Sequence, residues 1–305
     1  MNEVEVPVRE PYRLDLTAVV MRRLSTNVVD VFDGTAYRRL LGAPNEPVLL
    51  AVEQHAAGTL TARLEGPHAE AFDLTAIVRR ALGTEVDLAS FYAGAASVPW
   101  LHAIATGARG VKPPRYPSLW ETVVNAVVYQ QVSIHAAGAI LRRVIERHSV
   151  PREVAGVRLY PFPSARTLLD ADPVELRALG LSINKVSSLK AVAGAIESGE
   201  LNELALEPLS TPQLVEALVA HRGIGPWTAA VVALRGFGRL DVFPMNDSGA
   251  TASLRKLSGD PNVEAEPIIE ALVPQQGMLY YHLLLGRLNA TGEVSLGAPP
   301  AGAAR

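Results

Sequence analysis

With 305 residues, 49% of them apolar, the chain is long enough for two domains with cores of their own, and disorder is expected only at the ends. It contains no cysteine, which excludes disulfides, cysteine-ligated zinc and an iron-sulfur cluster. The formal net charge of −3 lacks the basic surplus common among nucleic-acid binders, although a local basic face with the acids elsewhere stays open.

The first stretch, MNEVEVPVREPYRLDL, is charged and alternating rather than signal-like, and no apolar run approaches a membrane span, so a cytoplasmic protein is expected. From about Val4 to His68, apolar runs alternate with turn signals: VEVPV, VVDVF before Asp33-Gly34, PVLLAVEQ and TLTARLEG. In the last of these Leu60, Ala62 and Leu64 share one face, and the whole predicts an antiparallel sheet. Residues 69–82 have helical periodicity through Phe72, Leu74, Ile77 and Val78, and Asp87-Leu88-Ala89-Ser90 carries an N-cap signature before a segment running toward Gly107. The stretch GVKPPRYP, 110–117, reads as a proline-rich linker near which the helical region begins, with its cations facing either phosphate or solvent.

Ser118-Leu119-Trp120-Glu121 fits a capping box and opens a helix through Val123, Val124, Val127 and Val128. The polar run Tyr129-Gln130-Gln131-Val132-Ser133 then separates it from the helix HAAGAILRRVIERH. After a proline-rich loop, ARTLLDA and PVELRALG are short helices, and LSINKVSSL places Lys185 at a helix end, where it is either solvated or against a backbone phosphate. Helices are also expected over 261–273 and from Pro274 through His282, whose apolar setting suits a buried, hydrogen-bonded histidine. The run 290–305, rich in Gly, Ala and Pro, reads as a loose tail.

Between these lies HRGIGPWTAAVVALRGFGRLDVFPMND, residues 221–247. A helix with Leu214, Val215, Leu218 and Val219 on one side, led by Thr211-Pro212, runs into Gly223-Ile224-Gly225, and Pro226 pre-sets φ for the next helix. Both glycines can take positive φ and leave the backbone uncovered. Exposed amides at the positive end of a helix suit an anion such as a nucleic-acid phosphate; the same pattern also serves as a plain tight turn. Asp247, followed by SGATASL, fits a helix N-cap.

With GIGPWTA, ALRGFGRLDVFP and Asp247 in view, the chain resembles the helix-hairpin-helix DNA glycosylase superfamily, and within it the bacterial 3-methyladenine DNA glycosylase II family. The likeness extends over about 112–288 and more loosely over the N-terminal third. It implies an α+β chain, mostly the α-helical HhH-GPD glycosylase fold, with an N-terminal antiparallel β-sheet (TBP-like) domain at 1–88. The helical region is then 89–290, with its hairpin at about 211–233, and the tail 291–305.

By resemblance, Asp247 is the acid of base excision, compatible with its capping role because a cap fixes a carboxylate. Gly223, Gly225 and Thr228 belong to the phosphate-binding hairpin, Gln131 plugs the gap left by a flipped base, and Lys185 touches DNA backbone. Relatives that also cut the strand carry a lysine nucleophile just after the turn; Trp227 stands there and implies a monofunctional enzyme and a pocket wall. The best-known family type has aromatic rings at positions here occupied by Val231, Gln275 and Val19, and Asn246 replaces the first acid of an acidic pair; fewer rings should alter substrate choice. No cofactor is implied beyond a monovalent cation held by hairpin carbonyls. The partner is double-stranded DNA containing damaged bases, such as 3-methyladenine or 7-methylguanine, and the protein is expected to be a monomer near the nucleoid. The competing readings are a non-catalytic damage sensor of the same fold and a helical protein-binding module.

Overall fold

The computed structural model describes residues 2–42 and 46–297. An antiparallel five-stranded sheet has the order β1-β5-β4-β3-β2, from β1 (Asn2–Pro7), β2 (Val31–Phe32), β3 (Ala36–Leu41), β4 (Val48–Ala56) and β5 (Thr59–Glu65). Alternation sets its buried face, since Leu60, Ala62 and Leu64 of β5 lie beside Leu50 and Val52 of β4 in one core with no exposed surface beyond a trace. The sheet expected from sequence is therefore present, but β3 and a helix, α1 (Leu14–Arg22), were not legible in it.

The reason α1 was missed is that two of its faces are buried. Leu14, Ala18 and Met21 pack into the sheet core, whereas Leu16, Val19 and Val20 pack into a helical core, so no polar stripe marks the period. Its run of β-branched residues favours strand locally, and burial on both sides overrides that preference. The helix expected over 69–82 is broken: a single 3-10 turn spans Ala69–Ala71, and α2 (Leu74–Leu82) starts where the Asp73 side chain accepts from the Ala76 amide.

Next come α3 (Ala89–Ala95), α4 (Pro99–Gly107), α5 (Leu119–Tyr129) and α6 (Ile134–His148). A small hairpin, β6 (Arg152–Val154) with β7 (Val157–Leu159), leads to α7 (Ala165–Asp170), α8 (Pro173–Ala178), α9 (Ile183–Glu197) and α10 (Glu203–Leu206). The chain continues through α11 (Thr211–Val219), α12 (Pro226–Arg235), α13 (Ser248–Ser258), α14 (Glu266–Ala271) and α15 (Gly277–Ala290). One helical core gathers α5, α6, α9, α11 and α12; a second brings α13 and α15 back against α3, α4 and one face of α1.

The expected linker at 110–117 is not an exposed connection. Val111 and Lys112 are buried, Lys112 Nζ donates to the Val86 carbonyl, and Arg115 donates to the Gly236 carbonyl and pairs with Glu207. Neither cation faces solvent or phosphate freely. The loose tail is also corrected for 291–297, where the Leu296 amide donates to Asn289, Leu296 packs against the helical core, and the Gly297 carbonyl accepts from Arg13; 298–305 lie outside the described residues.

Glu121 departs from the capping-box reading as well. Ser118 Oγ accepts from the Glu121 amide, but the Glu121 carboxylate turns inward to Arg39 of β3, which also pairs with Asp30 at 2.7 Å. Tyr37 Oη donates to the same Asp30 carboxylate at 2.6 Å, and all four groups are buried. This ion cluster ties the sheet to α5. Replacing Arg39 by methionine leaves two buried carboxylates without their partner, and urea denaturation is expected to show a loss of about 3–5 kcal/mol.

Candidate active site

The hairpin between α11 and α12 is anchored by Ile224, which is 3% exposed in the larger helical core and whose amide donates to the His221 carbonyl at 3.1 Å. Only one of its glycines is in the left-handed region. Gly223 has φ +97, and a Cβ there would lie 2.8 Å from Ser188 Cα, so the turn is pressed onto α9. Gly225 is extended, with φ −87 and ψ 172, and caps α12; a Cβ there would meet nothing within 4 Å. Pro226 occupies the first turn of α12, and the first amides of any helix lack helical acceptors, so the N-terminus of α12 presents its donors at this turn.

Asp247 is tied to the first turn of α12 through Trp227. Asn246, at φ +61, takes the left-handed conformation that asparagine tolerates, and Asp247 then caps α13 with Oδ1 accepting from the Ala250 amide at 2.8 Å. The other oxygen is held by side chains: Trp227 Nε1 donates to Oδ2 at 3.1 Å, and Tyr280 Oη donates to it at 3.2 Å. Burial, with the adjacent Asp247 charge, pushes the Tyr280 hydroxyl well above its ordinary value, so it stays a donor.

The carboxylate borders a cavity of about 460 Å³ whose lining includes the rings of Tyr129, Trp227 and Tyr280 and the side chain of Arg23. Gln131 stands at its rim, exposed and at φ +55, and also borders a second groove of about 620 Å³ with Lys256 and Arg287.

The structure brings Asp247, Trp227 and Gln131 to one cavity. It does not bring Val231, which is buried and outside the cavity lining, or Val19, which packs in the second helical core. Gln275 is absent from the lining as well: its side-chain oxygen accepts from the Phe91 amide and its nitrogen donates to the Asp87 carbonyl, fastening the start of α3.

Thr228 and Lys185 also differ from their expected roles. Thr228 is buried, and its hydroxyl accepts from Gln130 Nε2 at 2.6 Å. Lys185 borders the cavity, but its ammonium donates at 2.9 Å to the carbonyls of both Val128 and Gln130, and burial draws its pKa below the ordinary lysine value. Both residues therefore grip Gln130 from inside and fix the neighbouring Gln131. His282 is buried as expected: Nδ1 bonds the Met278 carbonyl at 2.8 Å, and burial pushes its pKa down to about 4, which keeps it neutral.

Sequence reasoning missed Tyr280, Tyr129 and Arg23. Tyr280 and Tyr129 lie in apolar helical runs that give no sign of which ring turns to the cavity, and Arg23 ends the helix that was not recognised.

Residues 124–274 match the family described as HhH-GPD superfamily base excision DNA repair protein. This region of the chain belongs to the HhH-GPD superfamily. The chain is 29% identical over 263 residues to a probable bifunctional transcriptional activator/DNA repair enzyme AlkA of Mycobacterium tuberculosis, covering 83% of this chain and 50% of that one. It is 28% identical over 192 residues to a DNA-3-methyladenine glycosylase of Bacillus subtilis, covering 62% of each. The chain thus spans half to under two thirds of the length of these curated relatives. A 3-methyladenine DNA-glycosylase from Archaeoglobus fulgidus superposes with a TM-score of 0.74 at 21% identity, covering 94% of this chain and 99% of that one; it establishes the shared α+β fold, sheet included.

The two hairpin glycines separate strain from space. Gly223→Ala is expected to destabilise by about 1–3 kcal/mol in thermal or urea unfolding, because it combines a strained φ with a clash against α9 backbone. Gly225→Ala, with ordinary φ and open space, is expected to stay within about 1 kcal/mol of the parent.

Proposed function

We propose that this HhH-GPD protein is a monofunctional DNA N-glycosylase that excises alkylated bases from duplex DNA, with Asp247 as the catalytic carboxylate. The observation that carries the proposal is Asp247 itself. Its carboxylate is held by three donors, beside a ring-lined cavity large enough for a base, one of the donors coming from Trp227 in the first turn of α12 just after the hairpin.

Breaking an N-glycosidic bond moves the bonding pair to the base and builds positive charge on the sugar. A fixed carboxylate stabilises that charge without reorganising, and it can orient a water whose oxygen bonds the anomeric carbon while its proton passes to the carboxylate and on to solvent. An alkylated base that already carries positive charge leaves readily, so one acid suffices. Trp227 fills the place of a lysine nucleophile, and the Lys185 ammonium is engaged with two carbonyls, so among the described residues lining the cavity no lysine amine is free for Schiff-base chemistry.

Flipping a nucleotide costs a few kcal/mol. Gln131, pinned through Gln130 and standing at the cavity rim, is suited to fill the vacated stack. The α12 N-terminus with Arg222, and the groove bearing Lys256 and Arg287, supply the local basic face that the net charge of −3 conceals. The rings of Tyr129, Trp227 and Tyr280 answer the expected loss of aromatic residues, which was the main support for a non-catalytic sensor. Among the described residues no cluster of three His, Asp or Glu side chains is placed for a metal, so an ion at the hairpin would rest on main-chain carbonyls, and no step depends on it.

The test is incubation of the protein with methylated duplex DNA, with free base and strand breaks measured separately. The expected result is release of methylated purine, with breaks only after alkali and duplex binding that weakens as salt rises. Breaks without alkali would contradict monofunctional chemistry, and salt-dependent binding without release of any base would favour the sensor.

A further inference from the structure

The cavity beside Asp247 and the outer groove share a border that includes Gln131, Gly249 and Arg287, and Arg287 is the one cation in both linings. It stands in the last turn of α15, half-buried between the buried Gly286 and Leu288. Among the described residues it pairs with no carboxylate, Asp247 included.

The guanidinium faces Asp247 across an open space. A Cβ at Gly249 would lie 3.2 Å from Asp247 Oδ1 and 3.7 Å from Arg287 Nη1, and beyond the adjoining chain and helix backbone no other described atom comes within 4 Å of that point. Gly249 is helical, without a positive φ, so its backbone does not call for glycine, and glycine weakens a helix interior. What the missing side chain provides is the gap, with a carboxylate oxygen on one side and a guanidinium nitrogen on the other.

An arginine this near the carboxylate, yet not bonded to it, has a cost in base excision: while unpaired, it opposes the positive charge that grows on the sugar. A phosphate neutralises it and matches its planar fork of donors. The substrate carries that anion. A flipped base enters the cavity while its phosphodiester stays with the strand, so one nucleotide spans the border, its anomeric carbon toward Asp247 and a phosphate toward the groove.

We propose that Arg287 binds the phosphate adjoining the flipped nucleotide and thereby holds the sugar beside Asp247, in the room that Gly249 leaves. The inference rests on the excision reading and separates the two cations of the groove. Lys256 is exposed and absent from the cavity lining, so it meets a phosphate farther along the strand, whereas Arg287 acts where the bond breaks.

The experiment uses the parent, Arg287→Gln, Arg287→Lys and Gly249→Ala. It measures affinity for duplex DNA holding an abasic-site analogue over a range of salt, single-turnover release of methylated base at saturating protein, and melting curves. In Arg287→Gln the slope of log affinity against log salt is expected to shrink by about one, the loss of one phosphate contact. The saturated rate is expected to fall by about tenfold or more, since the sugar is no longer held in register with the carboxylate. Arg287→Lys keeps the charge and loses the fork, so it is expected to restore the slope but only part of the rate. Gly249→Ala suits a helix and is expected to stay folded with a reduced saturated rate; it carries the test if Arg287→Gln does not fold. An unchanged slope or an unchanged saturated rate in folded Arg287→Gln, with base released by the parent, overturns the role of Arg287 alone. Release of no base by the parent overturns the excision reading and this inference with it.

Discussion

The carboxylate of Asp247 draws its donors from three different helices: the Ala250 amide of α13, the Trp227 indole of α12 and the Tyr280 hydroxyl of α15. Each bond is ordinary in length, but together they leave the group no freedom to swing, and they hold only while the three helices keep their relative positions. Two packed cores maintain that arrangement, α12 contributing to both and α13 with α15 forming much of the second. A carboxylate fixed before substrate arrives spends nothing on reorientation when charge develops, which is the condition for electrostatic stabilisation in a site partly closed to water. The left-handed turn at Asn246 serves the same end, since it delivers Asp247 to the cap position.

The N-terminal sheet enters this account through α1. One face of that helix completes the sheet core and the other completes the helical core around α15, so the sheet acts as the support that holds Arg23 in the cavity wall. The buried cluster of Asp30, Arg39 and Glu121 makes the same connection electrostatically, joining the sheet to α5 at the end opposite Tyr129 and Gln130. A second set of contacts, Lys185 and Thr228 on Gln130, joins α5 to α9 and α12. The cavity is therefore bordered by elements that are each tied to at least one other by a directional bond, which suits a site where a base must be received in one orientation.

Much of this was legible in the sequence because it depends on local chemistry. The hairpin shows itself through two glycines and a proline between apolar helices, Asp247 through its cap signature and its distance from Trp227, and the sheet through alternation at Leu60, Ala62 and Leu64. What escaped depends on long-range burial. Helix α1 has two buried faces and hence no polar stripe; the 110–117 segment has a linker's composition but is fixed by bonds from Lys112 and Arg115 to remote carbonyls. The base-pocket residues fared worst: Val231 and Gln275 point elsewhere, and the rings that do face the cavity come from Tyr129 and Tyr280. Which of several residues on an apolar helix turns toward a cavity is set by packing of the whole helix, and no short pattern encodes it. Thr228 and Lys185 show the same limit, since a donor beside a phosphate-binding turn can equally be used to brace a loop.

Asp247 combines two roles that a single substitution can separate. Asparagine is as good an N-cap as aspartate, so Asp247→Asn keeps the bond to the Ala250 amide while removing the negative charge. The decisive measurement is therefore the single-turnover rate of base release by this variant alongside its melting temperature and its affinity for duplex DNA. The account predicts a folded variant whose stability falls by about 1–3 kcal/mol, because the Trp227 donor loses its acceptor and Tyr280 must turn, with retained binding and excision reduced by at least about a hundredfold, the scale typical of removing a preorganised electrostatic group. Excision at the parent rate in a folded Asp247→Asn protein would contradict the assignment of the catalytic carboxylate.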